Sequence, residues 1–470
     1  MRTARLFALT SAALCMAVGW SWEARAAGSE DFVVQGSNTI GARLMPALIE
    51  AFAGSIGAKA VTLAGSQPEE VEIKLQTEAG ATLGAISVHS HGSGTAIPGL
   101  ISGKALLGMM SRPIDDKELK ALQAAGIPDL RASDHEHVLA LDGVLVLAAP
   151  GNPIKSLSME QIAGIFSGTI SDWSAVGGQP GHIQVYARDD KSGTYDTFNS
   201  LVLKPRKFAL AASARRFESS EELSDSVARD PNGVGFVGFA YLRNAKALEV
   251  ANDCGIAYEP TVFNVKTEQY PLSRRLFVYE RNVAPGSLAA RLIEFVLSPA
   301  AQEVVRAEGF VDQSIELLDD RDQVSRLADG LIALDANIDS LVLKDLAFSL
   351  KHSSRMSTTL GFRSASTKLD SKAEADIERI AGYVRSLSQS DRGKGVILAG
   401  FTDGVGDFAA NRTLSHARAE QVKSVLLRAL GPSFPPTAVV SRGYSKLLPT
   451  SCNTTEEGRN RNRRVEVWVK

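Results

Sequence analysis

The sequence predicts an α/β domain followed by a smaller domain that has its own strands and helices. From about Asp31 to Asp312, short β-rich runs alternate with helical stretches, which is the pattern of an α/β fold. Between Ser314 and Lys351 the chain turns acidic and helical, without the Gly and Ser enrichment of a flexible linker. A second set of strand and helix patterns begins at Ser353, and a chain of 470 residues has room for two or three domains.

Three segments illustrate the α/β assignment. The apolar run from Val138 to Ala149 has the length and the valine and leucine content of a buried strand. A serine precedes helically spaced apolar residues from Ser158 to Phe166, which predicts a capped helix. The segment from Leu288 to Val305 predicts one long amphipathic helix.

The first 26 residues have the three parts of a secretory signal peptide. Two arginines precede an apolar run from Leu6 to Trp20, and Ala24 and Ala26 form an A-x-A cleavage pattern. The apolar run is shorter than the ~20 residues that a membrane-spanning helix needs. We therefore expect cleavage before Ala27 and a mature protein outside the cytoplasm.

The net charge and the cysteine content exclude some classes of function. Without the three arginines and one glutamate of the leader, 51 basic and 53 acidic residues become a net charge of −4. A mildly acidic chain has no broad electrostatic footprint for nucleic acid, so we expect no nucleic-acid partner. Cys254 and Cys452 would remain, without a C-x-x-C motif. In an oxidising compartment they form a disulfide or stay as two thiols, and the sequence leaves both open.

Three segments combine glycines, hydroxyl side chains and the predicted start of a helix. They are Gly36–Gly41 (GSNTIG), Gly92–Ile97 (GSGTAI) and Arg188–Phe198 (RDDKSGTYDTF). A helix N-terminus offers free backbone N–H groups and partial positive charge, which attract anions. Hydroxyls add donors, and Arg188 adds a full charge for a bidentate contact. Each segment alone is also an ordinary helix cap, but the three together favour an oxyanion site.

These segments resemble the phosphate-binding receptors of bacterial phosphate ABC transporters (PstS-like). The resemblance rests on GSNTIG, HGSGTAIPGLISGKALLGMMSRPI, NPIKSLSMEQIAGIFSGTISDWSAVGGQPGHIQVYARDDKSGTYDTF, DPNGVGFVGFAYL, YPLSRRLFVY and IEFVLSPAAQEVVRAEGFV. It implies a two-lobed periplasmic binding protein, type II-like, with phosphate or a similar oxyanion in the cleft and an ABC permease as a candidate partner. By position it implies that the phosphate-binding residues are Ser37, Thr39, Ser93, Arg188, Ser192, Gly193 and Thr194.

One position departs from this family. Many phosphate receptors carry an aspartate after the strand that follows the second loop, where it accepts a hydrogen bond from protonated phosphate and repels sulfate. Here Ser111 and Arg112 occupy that stretch, and an arginine cannot accept a hydrogen bond. Phosphate is the first choice of ligand, and the sequence leaves its selection over other oxyanions open.

Two other patterns favour structural interpretations. Gly233–Gly238 matches G-x-G-x-x-G but runs into FAYL and opens no helix, so we expect a turn and a strand instead of a dinucleotide site. The histidines and acids at 134–137, and the histidines at 89 and 91, favour polar loops over a metal site. No G-x-S-x-G or H-E-x-x-H motif occurs, and we expect a binding protein without catalytic residues, cofactor or metal.

The last part of the chain, from about Arg355, resembles the OmpA C-terminal-like family of peptidoglycan-binding domains. The resemblance rests on AGFTDGVGDFAANRTLSHARAEQVKSVLL and GRNRNRRVEVWV. It implies a small α+β domain that binds the diaminopimelate stem peptide through Asp403, Asn411 and Arg418. A side chain ending in an ammonium and a carboxylate needs an acid and an arginine a fixed distance apart. We expect Asp403 at a strand end, Arg418 one turn into the next helix and Asn411 shaping the loop. A structural Asp403–Arg418 salt bridge is the alternative.

The sequence thus divides into a signal peptide (1–26), a binding domain (27–312), a helical connector (313–352) and a peptidoglycan-binding domain (353–470). Four arginines at 459, 461, 463 and 464 are expected to serve the groove and domain packing. The leading hypothesis is a periplasmic solute-binding protein, associated with peptidoglycan or the outer membrane. The alternative is a structural or adhesion protein with a vestigial cleft, and an enzyme acting on phosphoesters is a distant third.

Overall fold

The computed structural model describes residues 30–190, 192–318, 339–362, 368–387 and 395–470. The predicted signal peptide, half of the predicted connector (319–338) and residues 363–367 of the C-terminal domain lie outside these ranges. Among the described residues, no helix has the length and apolarity needed to cross a bilayer.

The first domain contains a large mixed sheet and a small three-stranded sheet. Its strands are Phe32–Gly36 (β1), Ala58–Ala64 (β2), Glu70–Thr77 (β3), Thr82–His89 (β4), Leu107–Met110 (β5), Glu136–Ala148 (β6), Ser156–Ser158 (β7), Gln184–Arg188 (β8), Arg215–Phe217 (β9), Gly233–Gly238 (β10), Lys246–Ala247 (β11), Glu249–Ala251 (β12), Ala257–Tyr258 (β13) and Ser273–Glu280 (β14). Eleven of the described strands join in the order β2-β3-β4-β1-β5-β14-β6-β10-β8-β9, with β11 on β6. A small sheet of β13, β12 and β7 lies apart.

Two long strands divide this sheet into two lobes. The first half of β6 pairs with β14, and its second half pairs with β10. The far end of β14 pairs with β5 of the first lobe. Each lobe has its own apolar core, one around Phe52 and Leu292 and the other around the stacked rings of Phe198 and Phe236. β6 and β14 are therefore the crossover strands, and the α/β prediction is confirmed.

Helices cover both faces of the sheet. They are Met45–Ser55 (α1), Ala96–Ser102 (α2), Asp116–Ala124 (α3), Met159–Ser167 (α4), Gly193–Phe198 (α5), Ser220–Arg229 (α6), Val262–Lys266 (α7), Leu288–Val296 (α8) and Pro299–Ala307 (α9). Ser158 caps α4 by accepting a hydrogen bond from the Gln161 N–H, as its sequence predicts. The single helix predicted from Leu288 to Val305 is wrong. Ser298 caps a second helix with Pro299 in its first turn, because proline lacks the N–H that a continuing helix needs.

The second domain has four strands and four helices among its described residues. The strands are Ser354–Gly361 (β15), Val396–Gly400 (β16), Val439–Gly443 (β17) and Arg464–Val469 (β18), and the helices are Ser340–Leu350 (α10), Ser371–Ser386 (α11), Phe408–Leu430 (α12) and Glu456–Asn462 (α13). The sheet order is β15-β18-β16-β17. Helices α11 and α12 pack on one face around Ile377 and Val422, and α10 packs on the other against Trp468. This is the α+β domain that the sequence predicts.

The two domains are joined covalently as well as by packing. Cys254 and Cys452 form a disulfide, with their Cα atoms 5.5 Å apart. Polar contacts across the interface are Arg275 Nη1 to Asp370 Oδ2 (3.0 Å), the Tyr258 hydroxyl to the Thr450 carbonyl (3.1 Å), Arg461 to the Glu268 carbonyl (3.3 Å), and the Ser371 hydroxyl to Glu136. The second domain is thereby held against the second lobe and against both crossover strands.

Candidate functional site

The first and third predicted oxyanion segments meet between the lobes. Thr39 follows β1, and Gly193 opens α5. A Cβ on Gly193 would lie only 2.3 Å from Thr39 Oγ1, so only glycine permits this approach. Ser192 caps α5 by accepting hydrogen bonds from the N–H groups of Thr194 (3.2 Å) and Tyr195 (3.3 Å). The two lobes therefore touch through these loops.

A buried ion pair that the sequence did not single out lies at the centre of the cleft. Arg274 of β14 donates to Asp142 Oδ2 of β6 from Nε (3.0 Å) and Nη2 (2.6 Å). The two side chains are 5% and 3% exposed. Arg274 also donates to the Gly193 carbonyl (2.9 Å) and to Thr39 Oγ1 (3.2 Å). One guanidinium thus links both crossover strands with the loops of both lobes.

Two cavities lie beside the Arg274–Asp142 pair, with Arg274 lining one and Asp142 the other. The smaller, of about 330 Å³, is lined by Asp142 and by five of the seven predicted residues, which are Thr39, Arg188, Ser192, Gly193 and Thr194. The larger, of about 640 Å³, is lined by Arg274, Ser93 and Ser111 and reaches the second domain. Ser37 lines neither cavity; its buried hydroxyl has no hydrogen-bond partner in the described part of the chain. The structure therefore brings five predicted residues together, places Ser93 in the larger cavity instead, and leaves Ser37 outside both cavities.

Arg188 is held by the second lobe. Its Nε donates to the Phe217 carbonyl (3.2 Å), its Nη1 donates to the Ser220 hydroxyl, and Nη2 lies 3.6 Å from Asp189. The side chain is 16% exposed and faces the smaller cavity. Because these contacts fix its position, Arg188 presents a pre-oriented cation to that cavity.

At the departure from the family pattern, Ser111 and Arg112 both line the larger cavity, but Arg112 is paired with an acid. Arg112 turns to Glu118 and donates two hydrogen bonds of 2.7 Å to its carboxylate. Ser111 faces the second loop instead, where Ser93 Oγ accepts from the Ser111 N–H (3.0 Å) and lies 3.1 Å from Ser111 Oγ. A hydroxyl can both donate and accept, so this position keeps an acceptor without a charge.

Acidic groups outnumber basic ones around the smaller cavity. Asp142, Asp189, Glu69 and Glu218 line it together with Arg43 and Arg188. Such a lining disfavours a fully ionised anion, whereas an anion that still carries a proton can donate it to a carboxylate. Within the described ranges, no group of three or more histidine, cysteine or acidic side chains is arranged to hold a metal ion.

In the second domain, Asp403 lies in the loop after β16. Its Oδ1 accepts from the Val405 N–H (3.0 Å), and its Oδ2 accepts from Arg463 Nη1 (2.7 Å). Asn411 Nδ2 donates to the Val405 carbonyl (2.8 Å), and this contact shapes the loop in the expected way. The alternative Asp403–Arg418 salt bridge does not occur among the described residues, since the partner of Asp403 is Arg463.

Arg418 lies deeper in its helix than the sequence suggested. The expectation of one turn is wrong, because Asp407 caps α12 by accepting from the Ala410 N–H, and Arg418 falls in the third turn. Its side chain is buried, and Nε and Nη1 have no hydrogen-bond partner in the described structure. Its guanidinium lies 5.3 Å from the centre of the Phe362 ring. Burial and the neighbouring Arg463 lower the pKa of Arg418, and Asp403 opposes this. Among the described residues, Arg418 is thus a buried cation that forms no salt bridge.

The four clustered arginines all make contacts within the protein, beginning with Arg459, which pairs with Glu456 (2.7 Å). Arg463 pairs with Asp403 (2.7 Å) and Glu456 (2.6 Å) at the groove. Arg464 pairs with buried Glu466 (2.8 Å), and Arg461 donates to a carbonyl of the first domain. This basic cluster is therefore engaged within the protein.

Two lobes joined by crossover strands, with glycine- and hydroxyl-rich loops in the cleft, define a solute-binding protein of the periplasmic type. Family comparison agrees: residues 25–300 match the PBP superfamily domain, and residues 361–463 match the OmpA family. The chain belongs to the PBP superfamily and, within it, to the PstS-like phosphate-binding proteins. An OmpA-family domain follows at its C-terminal end. The resemblances noted in the sequence are confirmed.

Individual relatives cover the first domain. The phosphate-binding protein PstS of Pseudomonas aeruginosa is 32% identical over 247 residues, which are 48% of this chain and 73% of that protein. Protein SphX of Synechococcus elongatus is 32% identical over 240 residues, with coverage of 48% and 68%. The crystal structure of an ABC-type phosphate transport receptor from Vibrio cholerae is 24% identical, with a TM-score of 0.46 over 60% of this chain and 99% of that chain. Relatives such as the Pseudomonas protein are binding proteins and not enzymes, which confirms the expectation of a non-enzymatic protein.

Proposed function

We propose that this protein is a periplasmic receptor for phosphate or a similar oxyanion, tethered to the cell wall by its second domain. The observation that carries the first part is the smaller cavity, where Thr39, Arg188 and the capped start of α5 converge from both lobes. These groups supply a hydroxyl, a guanidinium and the partial positive charge of a helix start, all of which attract tetrahedral anions. Phosphate is the preferred ligand because relatives in the family carry that name.

The cleft has features that fit a working site better than a vestigial one. Burying the Asp142–Arg274 pair beside the cavity costs several kcal/mol per ion before pairing. An anion bound beside Arg274 would take hydrogen bonds that Gly193 and Thr39 now accept. These contacts support ligand binding over the adhesion alternative.

Asp142 is the proposed selector between phosphate and sulfate. It lines the smaller cavity from β6, whereas Ser111 stands where many phosphate receptors have their aspartate. A carboxylate accepts the proton that phosphate retains near neutral pH and repels sulfate, which has none. Asp142→Asn should weaken phosphate binding about tenfold or more and reduce the discrimination against sulfate. Glu218→Gln, at the rim of the same cavity, is the matched control.

Calorimetry of the full chain with phosphate, and with sulfate as competitor, tests this part of the proposal. We expect one saturable phosphate site and poor competition by sulfate. Absence of phosphate binding would favour the structural or adhesion alternative. Equal binding of both ions would instead remove Asp142 from its role.

Tethering is supported by the buried, unpaired Arg418 close to Asp403. The carboxylate of a diaminopimelate end would form an ion pair with Arg418. Its ammonium would pair with Asp403 and displace Arg463 from that carboxylate. Asp403→Ala and Arg418→Ala should each abolish sedimentation with purified peptidoglycan, and Asn411→Ala should have a smaller effect. Arg428→Ala, exposed near the end of the same helix, is the control. Sedimentation of both single mutants like the parent would exclude this groove.

The proposed location follows from the two ligands. A predicted leader and the proposed affinity for peptidoglycan support a location in the periplasm, at the wall or the adjoining outer membrane. An ABC permease is a candidate partner, and cross-linking in cells would test for it. A receptor that never contacts a permease would function in retention or sensing.

A further inference from the structure

Helix α10 carries large apolar side chains on two opposite sides. Its inner side, with Val342, Leu346 and Leu350, is buried in the core of the second domain. Its outer side carries Leu341 and Phe348, which lie seven positions apart, close to two helical turns. Among the described residues these two are the most exposed large apolar side chains, at 74% and 83%. The outer side of α10 is therefore an apolar strip that the second domain leaves uncovered.

Positive charge accompanies this apolar strip. Lys344 and Lys351 are exposed, and each follows an apolar residue of the strip by three positions, which places both lysines on the same side of the helix. The one acid of the helix, Asp345, lies 3.9 Å from Arg442 of β17. Neither lysine has an acidic partner among the described residues. The outer side thus combines two apolar groups with two positive charges that nothing in the described chain neutralises.

The size of this face argues against a second copy of the chain as its partner. The helix has 11 residues, so its outer face measures about 16 Å by 10 Å, or roughly 160 Å². A stable dimer buries about 800 Å² on each partner, and two lysines meeting their own copies would repel each other. A lipid surface needs no such area and no complementary shape, and anionic headgroups would neutralise the lysines.

We propose that the outer side of α10 binds an anionic lipid surface. Leu341 and Phe348 enter the boundary between headgroups and acyl chains, and Lys344 and Lys351 contact the headgroups, as in helices that lie on membranes. Two inserted side chains make this contact weak and reversible. The contact goes beyond the proposed function, and its test needs neither phosphate nor peptidoglycan.

The lipid-binding strip and the peptidoglycan groove lie on opposite sides of the second domain. Helix α10 packs on one face of the sheet, and α12, which carries Arg418, packs on the other. A lipid surface at α10 therefore leaves the groove accessible. With both ligands bound, the second domain would bridge the wall and a membrane.

Flotation of the chain from Ala27 with lipid vesicles tests the proposal, and the predicted leader is omitted because its apolar run would itself bind lipid. The vesicles contain phosphatidylcholine alone or an equal mixture with phosphatidylglycerol. We expect the protein to float with the mixed vesicles at low ionic strength and to be released as the salt concentration rises. Leu341→Ser with Phe348→Ser should weaken partitioning onto the mixed vesicles about tenfold or more. Lys344→Gln with Lys351→Gln should weaken it to a similar extent, about tenfold or more.

Leu63→Ser with Lys59→Gln is the matched control, since it changes an exposed leucine and an exposed lysine of strand β2 and should float like the parent. The proposal is wrong if the parent does not float with mixed vesicles, or if either α10 variant floats as well as the parent. A dimer in ultracentrifugation that the serine variant dissociates, without flotation of the parent, would assign the face to a second copy. If the serine variant unfolds at a lower temperature than the parent, the lysine variant alone decides.

Discussion

Replacing Arg418 with methionine should abolish peptidoglycan binding and at the same time stabilise the second domain. Two of its guanidinium nitrogens are buried without partners, and each unmade hydrogen bond costs about 1–3 kcal/mol. Its contact with the Phe362 ring, at 5.3 Å, returns about 0.5–2 kcal/mol. Methionine has a similar length, keeps an apolar contact with the ring and buries no charge. The free energy of unfolding should therefore rise by about 1–3 kcal/mol.

Calorimetric unfolding of the full chain measures this change, since about 1 kcal/mol shifts the midpoint of a domain of ~100 residues by roughly 4 °C or more. Sedimentation with purified peptidoglycan measures binding on the same samples. Arg428→Met, exposed near the end of the same helix, should change neither quantity. A midpoint lowered by several degrees would show that Arg418 is a structural residue. A variant that still sediments would show that the ligand binds elsewhere.

Three further predictions concern the cleft, the disulfide and pH. Arg188→Ala should weaken phosphate binding by ~2–5 kcal/mol without unfolding the protein, and unchanged calorimetric affinity would remove Arg188 from the site. Cys254→Ser should lower stability by about 2–4 kcal/mol, and two reactive thiols in the denatured, unreduced parent would show that the bond is absent. Burial raises the pKa of Asp376, but Lys372 and Arg379 lower it to about 2. Its stabilisation, ~2–3 kcal/mol, is complete above pH ~4 and is lost as pH falls through ~2; Asp376→Asn should flatten this loss in acid denaturation.

Much of the fold follows from local patterns. The alternation of strand and helix signals, the Ser158 cap and the apolar run that becomes β6 each act within a few residues, so the sequence alone predicts them. The two errors also had local signals. Ser298 before Pro299 marks a new helix, and Asp407 before FAAN marks the true start of α12, which moves Arg418 to its third turn.

Only some residues of the candidate sites lie close together in the sequence. The glycine and hydroxyl loops are visible in the sequence, but Arg274 and Asp142 are 132 residues apart and meet only because β14 pairs with β6. A lone aspartate inside the apolar run was the available signal, and it does not identify a partner. Likewise, the ion pair between Arg463 and Asp403 forms because β18 pairs with β16 in the sheet. Contacts of this kind, between residues far apart in the sequence, can be identified only from the structure.

The bond between Cys254 and Cys452 bears on how the protein is assembled. The two residues are separated by 198 positions and belong to different domains, so the bond cannot close until the chain has been made as far as Cys452. Cys15, the only other cysteine in the sequence, belongs to the predicted leader, so the mature chain would offer no competing thiol. Because the bond joins the two domains in their docked position, the oxidised form would mark molecules in which that arrangement has been reached.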